Sequence, residues 1–184
     1  EKKLSNDFLI LENKKLRELI NETIQSEDLY AKVLVDKDSP YLKSIILNKG
    51  SKDNVKIGMA VVDNSYLVGK IIEVNYTNSR ALLLSDLNSK IPVLLEPIDV
   101  HAVASGTGKN HGVIEYTKDD YDQKIKGKEI IVYTSGYGGL FKPGLPVGKI
   151  IYDNIINDNV INFFSDFRQL DYVKIVSYDI GSGN

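Results

Sequence analysis

Beyond residue 28 the sequence never sustains a helical period; it breaks into short runs that Gly, Pro, Asn or Asp soon interrupt. Twelve such runs follow one another at 31–35, 44–47, 59–62, 67–74, 81–84, 91–95, 100–104, 112–116, 129–133, 147–152, 160–164 and 172–176. Their alternation and β-branched content read as strands. Many short strands with turn residues between them fold as barrels or sandwiches. Only 167–171 reads as a helical turn. Glycine is unevenly spread, 9 of 14 lying between Gly106 and Gly148. That shift places a boundary near Val103, so two small β units are expected over 29–103 and 104–184. The tail 181–184 has the composition of a frayed end.

The first 28 residues differ. They hold no Gly or Pro and carry five Lys/Arg against seven Asp/Glu. Asn6, Leu9, Asn13, Leu16, Ile20 and Thr23 recur in alternating steps of three and four, a heptad seam. Leu9 and Leu16 fall at one core position, and Asn13 and Ile20 at the other. Leu4, Phe8, Leu11 and Leu19 widen the apolar stripe. A buried Asn13 would fix register, because its amide needs a partner across the seam. The segment 1–28 is expected to form a coiled-coil helix that self-associates through Leu9, Asn13, Leu16 and Ile20. A single amphipathic helix packed on its own domain is the simpler alternative.

Composition excludes several functions. The chain has no Cys, so disulfides, thiolate zinc sites and Cys nucleophiles are out, and two His leave little for a conventional metal site. A net charge of −2 and a pI near 5.7 lack the basic footprint of a nucleic-acid binder. No apolar run approaches the roughly 20 residues that span a bilayer.

Three motifs invite a chemical reading. Ser135 lies in Thr134-Ser135-Gly136-Tyr137-Gly138-Gly139, which has the glycine-rich look of a serine nucleophile. Catalysis needs a base within hydrogen-bond reach and a group to orient it. Only His101, in a strand-like run, and His111, in a loop-like one, are available, so a turn with local hydroxyl hydrogen bonds is the preferred reading. Gly106-Thr107-Gly108-Lys109-Asn110 fails the phosphate-loop pattern, with Val103 where Gly is needed and Asn110 where Ser or Thr is needed. Asp119, Asp120 and Asp122 lack the ligand alternation of a calcium loop, and Lys124 stands at its glycine position. No cofactor and no metal ligand are expected, and the chain reads as no enzyme. Eleven Tyr remain, with Tyr116, Tyr121, Tyr133, Tyr137 and Tyr152 clustered in the second half. Tyr suits interfaces, and strands also favour it.

In order, these segments resemble the MreC family, the bacterial rod shape-determining proteins. Leu11-Glu12-Asn13-Lys14-Lys15-Leu16 is similar to its juxtamembrane coiled coil. Asn48-Lys49-Gly50-Ser51-Lys52-Asp53-Asn54-Val55, Gly58-Met59-Ala60-Val61-Val62, Leu67-Val68-Gly69-Lys70-Ile71, Leu82-Leu83-Leu84-Ser85-Asp86 and Ile91-Pro92-Val93 resemble its first barrel. Thr134-Ser135-Gly136, Gly138-Gly139, Phe141, Pro143-Gly144 and Pro146-Val147-Gly148 resemble its second-barrel motif. Asn54 stands where the family usually has Gly, Lys128-Glu129 follows Gly127 where Gly-Asp is common, and Lys142 stands where Pro is usual between Phe141 and Pro143.

The resemblance implies a mainly β fold, with an N-terminal coiled-coil helix followed by two small six-stranded-type β-barrels. It implies a periplasmic scaffold of cell elongation and peptidoglycan synthesis, anchored in the inner membrane by one N-terminal helix that this sequence does not contain. It further implies homodimers or filaments, and partners MreD, RodZ, RodA with its penicillin-binding transpeptidase and, indirectly, MreB. Nucleic acid is not an expected partner. The candidate partner contact is the glycine loop Thr134, Ser135, Gly136, Tyr137, Gly138, Gly139, Leu140 and Phe141, in which Tyr137 is the outward anchor and Phe141 the residue expected to turn inward. Two other functions fit parts of the sequence. A chymotrypsin-like hydrolase would use two barrels and Ser135, and a peptidoglycan-binding module would use exposed Tyr faces.

Overall fold

In the computed structural model, residues 24–25, 28–38, 43–117, 129–139, 141–150 and 160–180 are described. They form fourteen strands. In chain order these are β1 (Ile24–Gln25), β2 (Asp28–Asp38), β3 (Lys43–Leu47), β4 (Ala60–Asp63), β5 (Tyr66–Val74), β6 (Ser79–Leu83) and β7 (Lys90–Glu96). There follow β8 (Val100–Gly106), β9 (His111–Thr117), β10 (Ile130–Thr134), β11 (Pro146–Ile150), β12 (Val160–Phe163), β13 (Tyr172–Val176) and β14 (Asp179–Ile180). All twelve sequence runs coincide with strands. The segment 1–23, with Leu9, Asn13, Leu16 and Ile20, lies outside the described residues.

Twelve strands close into two antiparallel six-stranded barrels, in the orders β13-β2-β3-β6-β5-β4 and β10-β11-β12-β9-β8-β7. Closure removes the unpaired edges an open sheet would expose. Register shifts at Val33/Val35, Val61/Val62, Ile71/Glu73, Val103/Ala104 and Val132/Tyr133 supply the extra twist that so small a barrel needs. Each barrel buries its inward set. Ile45, Leu47, Val61, Leu67, Ile71 and Ile175 fill the first, and Val93, Leu95, Ile130, Val132, Ile150 and Ile161 the second.

The expected division at 29–103 and 104–184 does not follow the barrels. β7 and β8, read as the end of the first unit, belong to the second barrel, and β13, read as the end of the second, completes the first. Glycine density marked the turns of the second barrel but not its two opening strands. The second barrel is therefore inserted between β6 and β13 of the first. β1 pairs with β14 as a separate two-stranded ribbon, through Ile24↔Ile180 and Gln25↔Asp179.

Asn54, where the family pattern has Gly, sits in the left-handed region at φ 63° and ends the short 3-10 turn Ser51–Asp53. Asn is the side chain that tolerates this region best after Gly, so the departure keeps the turn. Asp53 secures the same turn by accepting the Gly50 amide at 3.1 Å and pairing with Lys49 at 3.2 Å. The Gly50 amide, then Lys49, hold its carboxyl below the usual carboxylate range.

Candidate functional site: the β10–β11 loop and the sheet face beside it

The loop joining β10 to β11 is built around one buried hydroxyl. Thr134 is 1% exposed, its Oγ1 donates to the Lys142 carbonyl at 2.6 Å, and it accepts the Leu145 amide at 2.9 Å. The Thr134 amide donates to Leu145 O, and the Gly144 amide to Thr134 O, both at 2.9 Å. Four bonds thus pinch the two feet of the loop together. On the other side the Ser135 amide donates to Pro92 O of β7 at 3.1 Å. Above the feet the chain needs the left-handed region, with Gly136 at φ 72°, Gly138 at 74° and Gly139 at 66°. A Cβ on Gly136 would also stand 3.1 Å from the Pro143 ring. The glycines here are a conformational requirement.

This backbone sends two aromatics in opposite directions. Phe141 is buried at 1%, as the sequence led us to expect, and Tyr137 stands out at 66% exposed. The Tyr137 ring meets His101 edge-on, 5.5 Å between centroids. Ser135 Oγ accepts the Tyr137 amide at 3.2 Å, a local turn bond of the expected kind. Leu140 lies outside the described residues.

The register extends the site beyond the loop. Pro146 pairs with Tyr133, Tyr133 with Leu94, and Leu94 with His101, which gives one row across β11, β10, β7 and β8. Val132, Leu95, Val93, Val100 and Ala102 beside that row are buried, so the row itself points outward. Tyr137 caps one end of it. The next row, Lys149–Ile131–Glu96, brings in charge. Sequence reasoning weighed His101 as a base and never as a neighbour of Tyr137, which lies 36 positions away. Its odd parity in β8, opposite to buried Val100 and Ala102, is the signal that puts it on the outer face.

The other singled-out segments resolve differently. Gly106-Thr107-Gly108 is a turn whose amides are already used: Gly106 donates to Ser89 O at 3.1 Å and Gly108 to Ser85 O at 2.8 Å. Thr107 Oγ1 donates to His111 O at 2.7 Å. His111, read as a loop residue, opens β9. Asp119, Asp120, Asp122, Tyr121 and Tyr152 lie outside the described residues. Among the described residues no group of three or more His, Asp or Glu could hold a metal ion, and no helix is long and apolar enough to cross a membrane.

Two closed barrels and this glycine loop can be compared with known proteins. A family model described as rod shape-determining protein MreC, barrel core, matches residues 33–177. The chain belongs to the MreC family. The cell shape-determining protein MreC of Haemophilus influenzae is 35% identical over 147 residues, covering 78% of this chain and 41% of the relative. The chain thus spans less than half the length of that curated relative. The crystal structure of MreC from Pseudomonas aeruginosa superposes with a TM-score of 0.66 at 28% identity, covering 82% of this chain and 99% of that one. An MreC from Helicobacter pylori, solved as a complex with the penicillin-binding protein PBP2, shares the fold with a TM-score of 0.60 at 13% identity, covering 86% of this chain and all of that one.

Proposed function

We propose that this chain is the barrel region of a non-catalytic scaffold in the cell-elongation machinery. It works at the periplasmic face of the inner membrane and binds a penicillin-binding transpeptidase through the Tyr137 face. The observation that carries the reading is the uncharged row Pro146–Tyr133–Leu94–His101 with Tyr137 at its end. Exposed aromatics held by rigid backbone make good interface anchors, because little side-chain freedom is lost on binding. A closed barrel offers no edge for strand addition, so a partner has to dock on side chains. Family membership supports the cell-shape role, and the H. pylori complex supports a transpeptidase as the partner. In this reading MreD, RodZ and RodA complete the assembly, MreB is reached through them, and the seam of 1–28 joins copies of the chain.

The test is titration against the periplasmic part of the cell's elongation transpeptidase. Tyr137→Ala should weaken binding by about 2 kcal/mol or more, the usual scale of an interface hot spot, with little loss of fold stability. Binding should vary little with salt, because few charged contacts are screened. Wild-type affinity for Tyr137→Ala would remove this face as the contact surface.

A further inference from the structure

We propose that Asp86 fixes the angle between the two barrels, so that they move as one rigid body. The chain crosses between barrels twice, at 84–89 and at 164–171. Linkers are ordinarily exposed, where water satisfies their backbone. Four of the six residues of the first crossing are not: Leu84, Ser85, Asp86 and Ser89 are each 2% exposed or less, and only Leu87 and Asn88 face solvent. Asp86 is the one buried ionisable side chain among the described residues.

A buried carboxylate is tolerated only when its oxygens are engaged, and those of Asp86 are engaged from two directions. Oδ2 accepts the amide of Lys43, the first residue of β3 in the first barrel, at 2.7 Å. Oδ1 accepts the Asn88 amide at 2.8 Å and Asn88 Nδ2 at 3.1 Å, on the step that leads into β7 of the second barrel. Main-chain bonds complete the junction. The Leu84 amide donates to Val68 O of β5 at 2.9 Å, while Gly106 and Gly108 of the second barrel donate back to Ser89 O and Ser85 O. At Gly106 a Cβ would fall 2.1 Å from Asp86 O, so the β8 backbone rests directly on this residue.

The return crossing is also tied. Ser165 Oγ donates to Leu67 O at 3.2 Å, Tyr66 packs on Phe164 at 5.1 Å, and buried Phe167 meets Phe163 at 5.5 Å between centroids. A satisfied buried network has one geometry, and Asp86 is the side chain through which the first crossing grips the first barrel. A partner that touches both barrels therefore meets two surfaces held in fixed relation.

Because the chain has no Cys, spin labels attach only where a Cys is introduced. The full chain would carry Tyr76→Cys, exposed on the first barrel, and Asn162→Cys, exposed on the second. Electron–electron dipolar spectroscopy should give one narrow inter-barrel distance distribution. Asp86→Asn keeps the size but loses the charge and one acceptor, and should add a broad component. The pair Glu129→Cys and Asn162→Cys, both on the second barrel, should not change, which a merely local defect in that barrel would not predict. If Asp86→Asn lacks a cooperative melting transition, Asn88→Ala, which removes one prop of the same carboxylate, replaces it and should broaden the distribution. A broad wild-type distribution, or a wild-type width in whichever variant folds, overturns the proposal.

Discussion

Replacing Thr134 by Val tests whether one hydroxyl holds the β10–β11 loop in shape. The two side chains are nearly the same size, so packing is preserved while Oγ1 becomes a methyl. Two hydrogen bonds disappear, at 2.6 Å to Lys142 O and 2.9 Å from Leu145 N. Both backbone partners sit in a half-buried turn. Losing its partner costs each about 1–3 kcal/mol. The new methyl at a site 1% exposed returns about 1 kcal/mol of apolar burial. The net destabilisation should be about 1–5 kcal/mol, a sizeable fraction of the roughly 5–15 kcal/mol that holds a domain folded. Thr134→Ser keeps the hydroxyl, loses one methyl and should cost only about 1 kcal/mol. The assay is urea unfolding followed by far-ultraviolet circular dichroism, since the chain has no Trp to report by fluorescence. The shift should appear in the midpoint at constant slope. If Thr134→Ser costs as much as Thr134→Val, the hydroxyl is not what organises the loop.

Three further predictions bear on the glycine loop and the N-terminal seam. Gly136→Val places a β-branched residue at φ 72° against the Pro143 ring and should destabilise the second barrel by about 1–3 kcal/mol, read by thermal melting. Ser135→Ala, which loses only the bond from the Tyr137 amide, should cost about 1 kcal/mol or less in the same melt. Leu16→Asp puts a charge at a core position of the proposed seam and should abolish association while the barrels stay folded. An unchanged mass by light scattering would show that residues 1–28 are not the association element.

The strands were legible because period-two alternation is a local property. β10, for instance, reads Ile130, Val132 and Thr134 inward, with Ile131 and Tyr133 between them. Closure was not legible, since alternation tells which face is buried but not which strand lies alongside. Nothing in Tyr172–Val176 announces that its neighbours are β2 and β4, more than a hundred residues back. β1 and β14, two residues each, are too short to carry a pattern. The positive φ of Gly136 and Gly139 was readable from the crowding of glycine and proline. The aromatic row was not, because Pro146, Tyr133, Leu94 and His101 share a face only through inter-strand register.

The insertion of one barrel into the other has a consequence for the order in which the protein is made. Residues 90–163 contain every strand of the second barrel, so it can close before β13 has been synthesised. The first barrel cannot close until β13, which follows the whole second barrel in the sequence, has emerged. Until then β2 and β4 present two open edges, the kind that template aggregation. A folded second barrel draws residues 84 and 164 together, which removes most of the loop-closure entropy that would oppose the arrival of β13. A stop codon or a cleavage just before residue 172 would therefore leave the second barrel whole and the first one gaping.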